Sequence, residues 1–280
     1  MQSRINSLLN YSYTVTDIHS IELQLFLLTV KCLMPYEDKI GCFFNVKRYY
    51  KEMELFAYYK NGMDETIEHW LERKIPTDKK DGLMEFKIIP IALVNTLWDN
   101  LVEEILKAVT FYTLNIETIL DGIIVSSGIY EYMNNNLENA HELTKERLIG
   151  FSVKEFIIKN NINVDKSYII DFEKERIKTI QRNDFFNLNR YKSIQYIFGE
   201  PNKESTEGTL IDSYSAYLYK LRKGRIDPEK LKIPDKMPDL KECLKKSYFN
   251  HPLLGKCKVE KRANNEVVVR NKSGLMRIRI

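Results

Sequence analysis

The apolar residues of this chain change their spacing once, and that change limits the folds that the chain can adopt. Between about residues 18 and 220 they recur every three or four positions, as in the run Ile21, Leu25, Leu28 and Cys32. This spacing predicts amphipathic helices. Three C-terminal segments instead are β-branched or alternate apolar with charged residues, namely 256–262, 266–271 and 275–280. We therefore expect a mainly α-helical bundle with a small C-terminal β-meander.

The same change divides the chain into three predicted units. Residues 1–224 form the helical domain and residues 248–280 form the β module. Residues 225–247 join them and contain three prolines among many charged side chains, a composition that is typical of a linker. We expect one short helix near the end of this linker.

The net charge of +4 conceals an uneven distribution. Residues 220–280 contain 18 Lys or Arg and 7 Asp or Glu, a net charge of +11. Residues 1–219 contain the other 25 basic and 32 acidic residues, a net charge of −7. An acidic body with a basic tail indicates two modules with different surroundings. Nucleic acid bound through residues 256–280, a protein partner and a simply solvated face are the alternatives for the tail.

The sequence predicts a cytoplasmic protein that does not enter a membrane. Residues 1–9 lack the long apolar core of a secretory signal, and no uncharged stretch reaches the roughly 18 residues that span a bilayer. The four cysteines form no CxxC pair and are too few for a disulfide scaffold, so we expect reduced thiols, some of them buried. They are Cys32, Cys42, Cys243 and Cys257.

The short motifs that identify most enzyme classes are missing from the chain. It has no phosphate-binding glycine loop, no dinucleotide-binding fingerprint, no HExxH, no zinc-type pairing of Cys and His and no GxSxG. The four histidines are scattered along the sequence, which is typical of surface or capping residues. A function must therefore rest on a pattern that is spread across the helical domain.

Four segments of the helical domain carry such a pattern. They are TDIH at 16–19, DGLMEFKIIPIAL at 81–93, AVTFYTLNIETI at 108–119 and GTLIDS at 208–213. In this order and spacing, over about residues 12–232, they resemble the ADP-ribosylglycohydrolase family. The family pattern runs T-D-D-T, then G-N-G-x-x-M-R-I-x-P, T-H-x-x-P-E-A-I and G-G-D-T-D-T-I. The start of the β module, at 251–256, is similar to small SH3-type barrels.

The resemblance implies an all-helical fold and an enzyme that uses two Mg²⁺ ions to remove ADP-ribose from protein side chains. Two such cations require several carboxylate and hydroxyl oxygens at one point. The metal ligands at the matching positions are Thr16, Asp17, Asp212 and Ser213. Of these, Asp17 and Asp212 are implied to be catalytic. Lys87 stands in for the motif arginine and, together with Gly82, is implied to bind the ligand.

Departures from the family pattern argue against hydrolysis. Ile18 and Leu210 occupy positions where the family has carboxylates, which removes two negative charges and places apolar groups against the cation position. Tyr112 and Thr113 also replace the T-H pair. We therefore expect a pseudoenzyme that needs no cofactor, with Mg²⁺ relevant only if the metal site functions. It would bind an ADP-ribose-type ligand or a protein partner, as a regulator or inhibitor.

Three alternatives stay open at the level of the sequence. The first is an active hydrolase with a rearranged one-metal site made of Asp17, His19 and Asp212. The second is a nucleic-acid-binding adaptor that acts through its basic tail. The third is that the predicted metal ligands simply cap helices, since Thr, Ser and Asp are common at helix starts.

Overall fold

The structure is a computed structural model that describes residues 1–13, 20–182, 184–187, 190–199, 209–272 and 274–280. Helices dominate these residues, and a small antiparallel sheet lies at the C-terminus. The prediction of a mainly helical chain with a C-terminal β region is therefore confirmed. The specific ADP-ribosylglycohydrolase fold stays a prediction.

The helices are named in chain order. They are α1 (Gln2–Ser12), α2 (Ile21–Lys31), α3 (Val46–Phe56), α4 (Glu65–Arg73), α5 (Met84–Val94), α6 (Trp98–Thr110), α7 (Ile116–Asn134), α8 (Ala140–Gly150), α9 (Val153–Lys159), α10 (Lys166–Ile180), α11 (Lys192–Phe198), α12 (Thr209–Arg222) and α13 (Leu240–Leu244). The linker helix predicted from the sequence corresponds to α13. None of the described helices combines the length and the apolar character that crossing a bilayer requires.

The centre of the helical core is α5. All of its residues are buried, and α2, α6, α7 and α12 pack around it. A helix that is apolar on nearly every side belongs inside a protein, and the sequence MEFKIIPIALV contains only two charged residues. Those two, Glu85 and Lys87, must find partners within the protein.

Pro90 lies inside α5, where its missing N–H leaves one helical acceptor without its usual donor. That acceptor is the carbonyl oxygen of Phe86, four residues earlier. The hydroxyl of Tyr13, which is buried at the end of α1, donates to this oxygen at 2.9 Å. A side chain from α1 thereby supplies the hydrogen bond that α5 lacks.

Polar side chains mark where several helices begin. Ser20, Asn45, Asp64 and Asn115 accept hydrogen bonds from backbone N–H groups in the first turns of α2, α3, α4 and α7. These contacts satisfy donors that a helix start leaves without partners. At the other end of α7, Asn135 adopts the left-handed conformation with a φ of 60°, which ends the helix.

A small hairpin interrupts the region that was predicted to be helical. Strand β1 (Leu33–Pro35) pairs antiparallel with β2 (Cys42–Phe44). The buried carboxylate of Glu104 on α6 accepts from the N–H of Phe44 at 2.7 Å and from the hydroxyl of Tyr36 at 2.8 Å. The hairpin is thus fixed to α6. Its strands escape prediction because three apolar residues are too few for periodicity to distinguish a strand from a helix.

The C-terminal sheet has four strands, one more than the sequence predicts. Its strands, in order across the sheet, are β3 (Tyr248–His251), β4 (Gly255–Arg262), β5 (Glu266–Asn271) and β6 (Gly274–Arg279). All neighbours are antiparallel, and β4 to β6 match the three predicted segments. The additional strand β3 has four residues, too few for alternation to be recognised. Within the described residues the sheet is open, with β3 and β6 at its edges.

One face of this sheet packs onto the helical domain. The contact forms a second apolar cluster, which we call the sheet cluster, and its members include Leu55, Leu244, Phe249, Val267 and Ile278. Because Leu55 belongs to α3, the sheet contacts the helical domain directly. A backbone bond adds to this contact, since the N–H of Arg279 donates to the carbonyl oxygen of Tyr58 at 2.7 Å.

All four cysteines are free and buried, in agreement with the expected reduced thiols. Cys32 and Cys42 lie in the core of the helical domain, and Cys243 and Cys257 lie in the sheet cluster. Burial raises the pKa of Cys32 well above its usual value and raises that of Cys42 to about 12. Both thiols of the helical core are therefore protonated near neutral pH.

Candidate functional site

The loop that leads into α5 is joined to the link between α6 and α7. The backbone N–H of Thr77 donates to the carbonyl oxygen of Tyr112 at 2.9 Å, and the N–H of Leu114 donates to the carbonyl oxygen of Thr77 at 2.7 Å. The hydroxyl of Thr113 donates to the carbonyl oxygen of Lys79 at 2.5 Å. The N–H of Asp81 also donates to the hydroxyl oxygen of Thr118 at 3.2 Å. These bonds form a junction at which the second and third segments of the family resemblance lie together.

Lys87 forms a buried ion pair at this junction. Its Nζ lies 2.6 Å from Oδ2 of Asp81, and both side chains are almost completely inaccessible. The same Nζ lies 3.7 Å from the centre of the Tyr112 ring, a cation–π arrangement. The charge of Lys87 is therefore compensated inside the protein. Gly82, the other predicted ligand-binding residue, is exposed in the adjoining loop.

The ion pair continues into a buried chain of hydroxyl groups. The Tyr112 hydroxyl lies 2.8 Å from that of Tyr49 on α3 and 3.0 Å from Sδ of Met53. Burial raises the pKa of both tyrosines, so both hydroxyls stay protonated. A satisfied polar network of this kind fixes its helices relative to one another. Here it joins α3, α5 and the α6–α7 link.

Glu85, the second charged residue of α5, binds the start of α11. Its carboxylate accepts from the N–H groups of Lys192 and Ser193 at 3.0 and 3.1 Å, and from the Ser193 hydroxyl at 2.9 Å. Burial nevertheless raises the pKa of Glu85 above its usual value, because lost solvation outweighs these hydrogen bonds. Glu85 therefore caps α11 from inside the core.

Asp121 on α7 holds the residues that precede α11. The hydroxyl of Tyr191 donates to its Oδ2 at 2.7 Å, and Arg190 forms an ion pair with the same oxygen. Arg190 also lies 3.0 Å from Glu117, which pairs with Lys80 at 2.7 Å on the surface. Carboxylates from α5 and α7 thus attach α11 to the junction.

Aromatic rings connect the junction with α1 and α12. The ring centre of Tyr13 lies 4.7 Å from that of Phe26 and 5.5 Å from that of Phe86. Phe26 in turn contacts Tyr214 of α12 edge to face at 5.5 Å. The helices that carry the second and fourth quoted segments therefore meet around Phe26.

The four predicted metal ligands are not seen together in the described structure. Thr16 and Asp17 lie outside the described residues. Asp212 and Ser213 are exposed in the first turn of α12. Across the part of the chain that is described, no group of three or more His, Cys, Asp or Glu side chains is arranged to hold a metal ion. Mg²⁺ binding stays a prediction.

A groove of about 570 Å³ lies beside the junction. Its lining residues are Val46, Ile75, Pro76, Lys107, Thr110, Phe111, Leu114, Phe156, Asn160, Asn161, Ile162 and Asn163. Lys107 lies 3.1 Å from Glu103 and 3.0 Å from Glu104. Burial alone would lower the pKa of Lys107, but these carboxylates raise it, so the cation is retained. Apolar walls with a few polar groups are typical of small-molecule sites.

No sequence motif points to the acidic residues whose carboxylates hold this region together. Asp81, Glu85 and Asp121 stand within or beside apolar stretches, and a carboxylate in such a place signals a buried partner. The signal does not reveal which partner. For Glu85 the partner Ser193 is 108 residues away in the sequence.

Comparison of the chain with known protein families, curated proteins and solved structures finds no match to any of them. The resemblance to the ADP-ribosylglycohydrolase family consequently depends on the four quoted segments alone.

Proposed function

We propose that the protein is a degenerate ADP-ribosylglycohydrolase-like protein that binds an ADP-ribose-type ligand and does not hydrolyse it. The observation that carries this proposal is the position of the groove. It is bordered by Phe111 and Leu114 of one quoted segment and by Pro76 in the loop that leads to another. The groove therefore borders the third quoted segment, whereas Gly82, Lys87, Asp212 and Ser213 are not among its lining residues.

An ADP-ribose-type ligand consists of an aromatic base, two sugars and two phosphates, and the groove offers partners for each. Phe111 and Phe156 supply apolar surface for the base. Lys107 supplies a cation, whose contacts with Glu103 and Glu104 a phosphate would have to displace. The amides of Asn160 and Asn163 can donate to and accept from sugar hydroxyls. The volume of about 570 Å³ lies within the range of about 300–1,000 Å³ that is usual for small-molecule sites.

Binding is favoured over hydrolysis by the carboxylates that this chain lacks. Ile18 and Leu210 replace two of them, and a two-metal reaction depends on several carboxylates at one point. Lys87, at the position of the motif arginine, pairs with Asp81 inside the protein. Such a protein would act as a regulator or inhibitor, by holding the ligand or a protein that carries it.

The proposal is tested by calorimetry of the full chain with ADP-ribose, with and without MgCl₂. We expect saturable binding that does not require Mg²⁺. Ile75 lines the groove and is 55% exposed, whereas Ile149 lies outside the lining residues and is 57% exposed. Ile75→Asp should weaken binding by about tenfold or more, because its charge repels the phosphates, and the matched variant Ile149→Asp should bind as the wild type does.

Three results would overturn the proposal. Absence of ADP-ribose binding, or equal effects of the two aspartate variants, would exclude the groove as the site. Efficient Mg²⁺-dependent release of ADP-ribose from a modified protein would show an active hydrolase. Asp17→Ala and Asp212→Ala should then abolish that release if those residues form the rearranged site.

A further inference from the structure

The C-terminal sheet has two faces of different character. Its inner face contributes Phe249, Val267 and Ile278 to the sheet cluster, where each side chain is at least nine-tenths buried. Its outer face carries Tyr248, which is 68% exposed, and Leu275, which is 52% exposed. The Tyr248 ring is therefore accessible to a base from solution.

The outer face presents cations in two neighbouring rows. The register places one row across all four strands: Tyr248, Lys258, Arg270 and Leu275. The neighbouring row on β4, β5 and β6 consists of Lys261, Val268 and Arg277. All four cations of these two rows are exposed.

Few acidic groups balance this face. Residues 248–280 contain eight Lys or Arg and two Glu, a net charge of +6. Glu260 pairs with Lys258 at 3.3 Å and with Arg270 at 3.0 Å. In the described part of the chain, no carboxylate forms an ion pair with Lys261 or Arg277, so the second row keeps its full charge.

We propose that this outer face binds single-stranded nucleic acid, with phosphates on the cation rows and a base stacked on Tyr248. The inference does not depend on the groove or on the function proposed for it. Basic surfaces attract the phosphate backbone, and an exposed aromatic ring stacks on a base of any sequence. Flat sheet faces with aromatic side chains bind single strands in this way.

The dimensions of the sheet favour a single strand over a duplex. Neighbouring strands lie about 4.8 Å apart, so four strands are about 14 Å wide before side chains are added. The major groove of DNA is about 12 Å wide and does not admit a sheet of this width. An acidic polypeptide would satisfy the cations, but it would leave Tyr248 without the planar partner that a base provides.

The test measures binding of the full chain to a fluorescent oligothymidylate of about 20 nucleotides by anisotropy over a range of salt. We expect affinity to fall steeply with salt. Lys261→Glu/Arg277→Glu should weaken binding by about tenfold or more and make the salt slope shallower by about 1.4, the value for two lost phosphate contacts. Tyr248→Ala should weaken binding by about fivefold or more and leave the slope unchanged, whereas Tyr248→Phe should bind normally.

Controls separate a defined surface from general charge attraction. Arg73→Glu/Lys154→Glu makes the same change in net charge at exposed positions of the helical domain, and we expect it to bind nearly as the wild type does. The proposal is overturned if this control loses as much affinity as the sheet variant. It is equally overturned if a DNA duplex of the same length, polyglutamate or vesicles containing phosphatidylserine bind as tightly as the single strand. Absence of any binding to the oligothymidylate would also overturn it.

Discussion

The hydroxyl of Tyr13 donates a hydrogen bond of 2.9 Å to the carbonyl oxygen of Phe86, the acceptor that Pro90 leaves without a helical donor. A proline in the middle of a buried helix is normally costly, because it removes one hydrogen bond and crowds the preceding turn. Here the end of α1 compensates part of that cost. The hydrogen bond that joins the end of α1 to α5 therefore depends on a single proline in the centre of the core.

A double-mutant cycle tests this relationship. Tyr13→Phe should lower the free energy of unfolding by about 1–2 kcal/mol, because it leaves a buried carbonyl oxygen unsatisfied. Pro90→Ala restores the N–H, so Tyr13→Phe should cost less in that background. Urea unfolding of the four proteins measures the difference. Equal costs of Tyr13→Phe in both backgrounds would show that the hydroxyl does not act through the Phe86 carbonyl.

The ion pair of Lys87 with Asp81 makes a second prediction. Lys87→Met leaves a buried carboxylate without its counter-ion and should destabilise the protein by about 3–5 kcal/mol. Asp81→Asn/Lys87→Met removes both charges and should cost less than Lys87→Met alone. The control is Lys80→Met, which breaks the exposed pair with Glu117 and should cost no more than about 1 kcal/mol. Chemical unfolding checks all three, and a double variant that is the least stable would contradict the prediction.

Glu85 predicts a pH dependence of stability. Its pKa is raised in the folded protein, whereas in the unfolded protein it is near the usual value of about 4.3. The folded state therefore holds this proton more tightly than the unfolded state. The contribution of Glu85 to stability therefore falls as pH rises through the window between the usual and the raised pKa. Glu85→Gln cannot ionise and removes this contribution.

The measurement compares urea unfolding of wild type and Glu85→Gln between about pH 7 and pH 4, a range that includes the usual pKa of glutamate. The wild type should gain stability relative to the variant as the pH is lowered. Glu72→Gln, at an exposed position on α4, serves as the control and should show no such trend. Parallel pH profiles for wild type and Glu85→Gln would refute the raised pKa.

Attachment of the sheet to the helical domain is tested by residues on its two faces. Ile278 is fully buried in the sheet cluster, and Ile278→Ala should cost about 2–4 kcal/mol. Leu275 lies on the outer face of the same strand, and Leu275→Ala should change stability by no more than about 0.5 kcal/mol. Thermal unfolding distinguishes the two. Equal effects would mean that the sheet does not pack as described.

The local spacing of apolar residues was enough to predict most of the helices and three of the C-terminal strands. It did not predict β1, β2 or β3, which have three or four residues each and depend on their partners for pairing. Short strands are stabilised by tertiary contacts, such as the bond from Phe44 to Glu104 across 60 positions of sequence. Periodicity within a short window contains no information about such contacts.

The candidate site could be predicted only in part for the same reason. The resemblance points to Lys87, yet its contacts with Asp81 and Tyr112 depend on the fold, which brings two separate segments together. The groove is formed by the ends of several elements, including Ile75 and Asn163, which no motif connects. Thr16 and Asp17 lie outside the described residues, so their role stays a prediction.

The location of the four cysteines has a practical consequence for studying how the molecule opens. A buried, protonated thiol reacts with a thiol reagent only when the structure around it opens. Modification of Cys32 and Cys42 therefore reports opening of the helical core, and modification of Cys243 and Cys257 reports opening of the sheet cluster. The relative rates, read by peptide mass spectrometry, reveal whether the two cores open in one cooperative step or separately. The unaltered chain thus contains a paired set of reporters, with no introduced label.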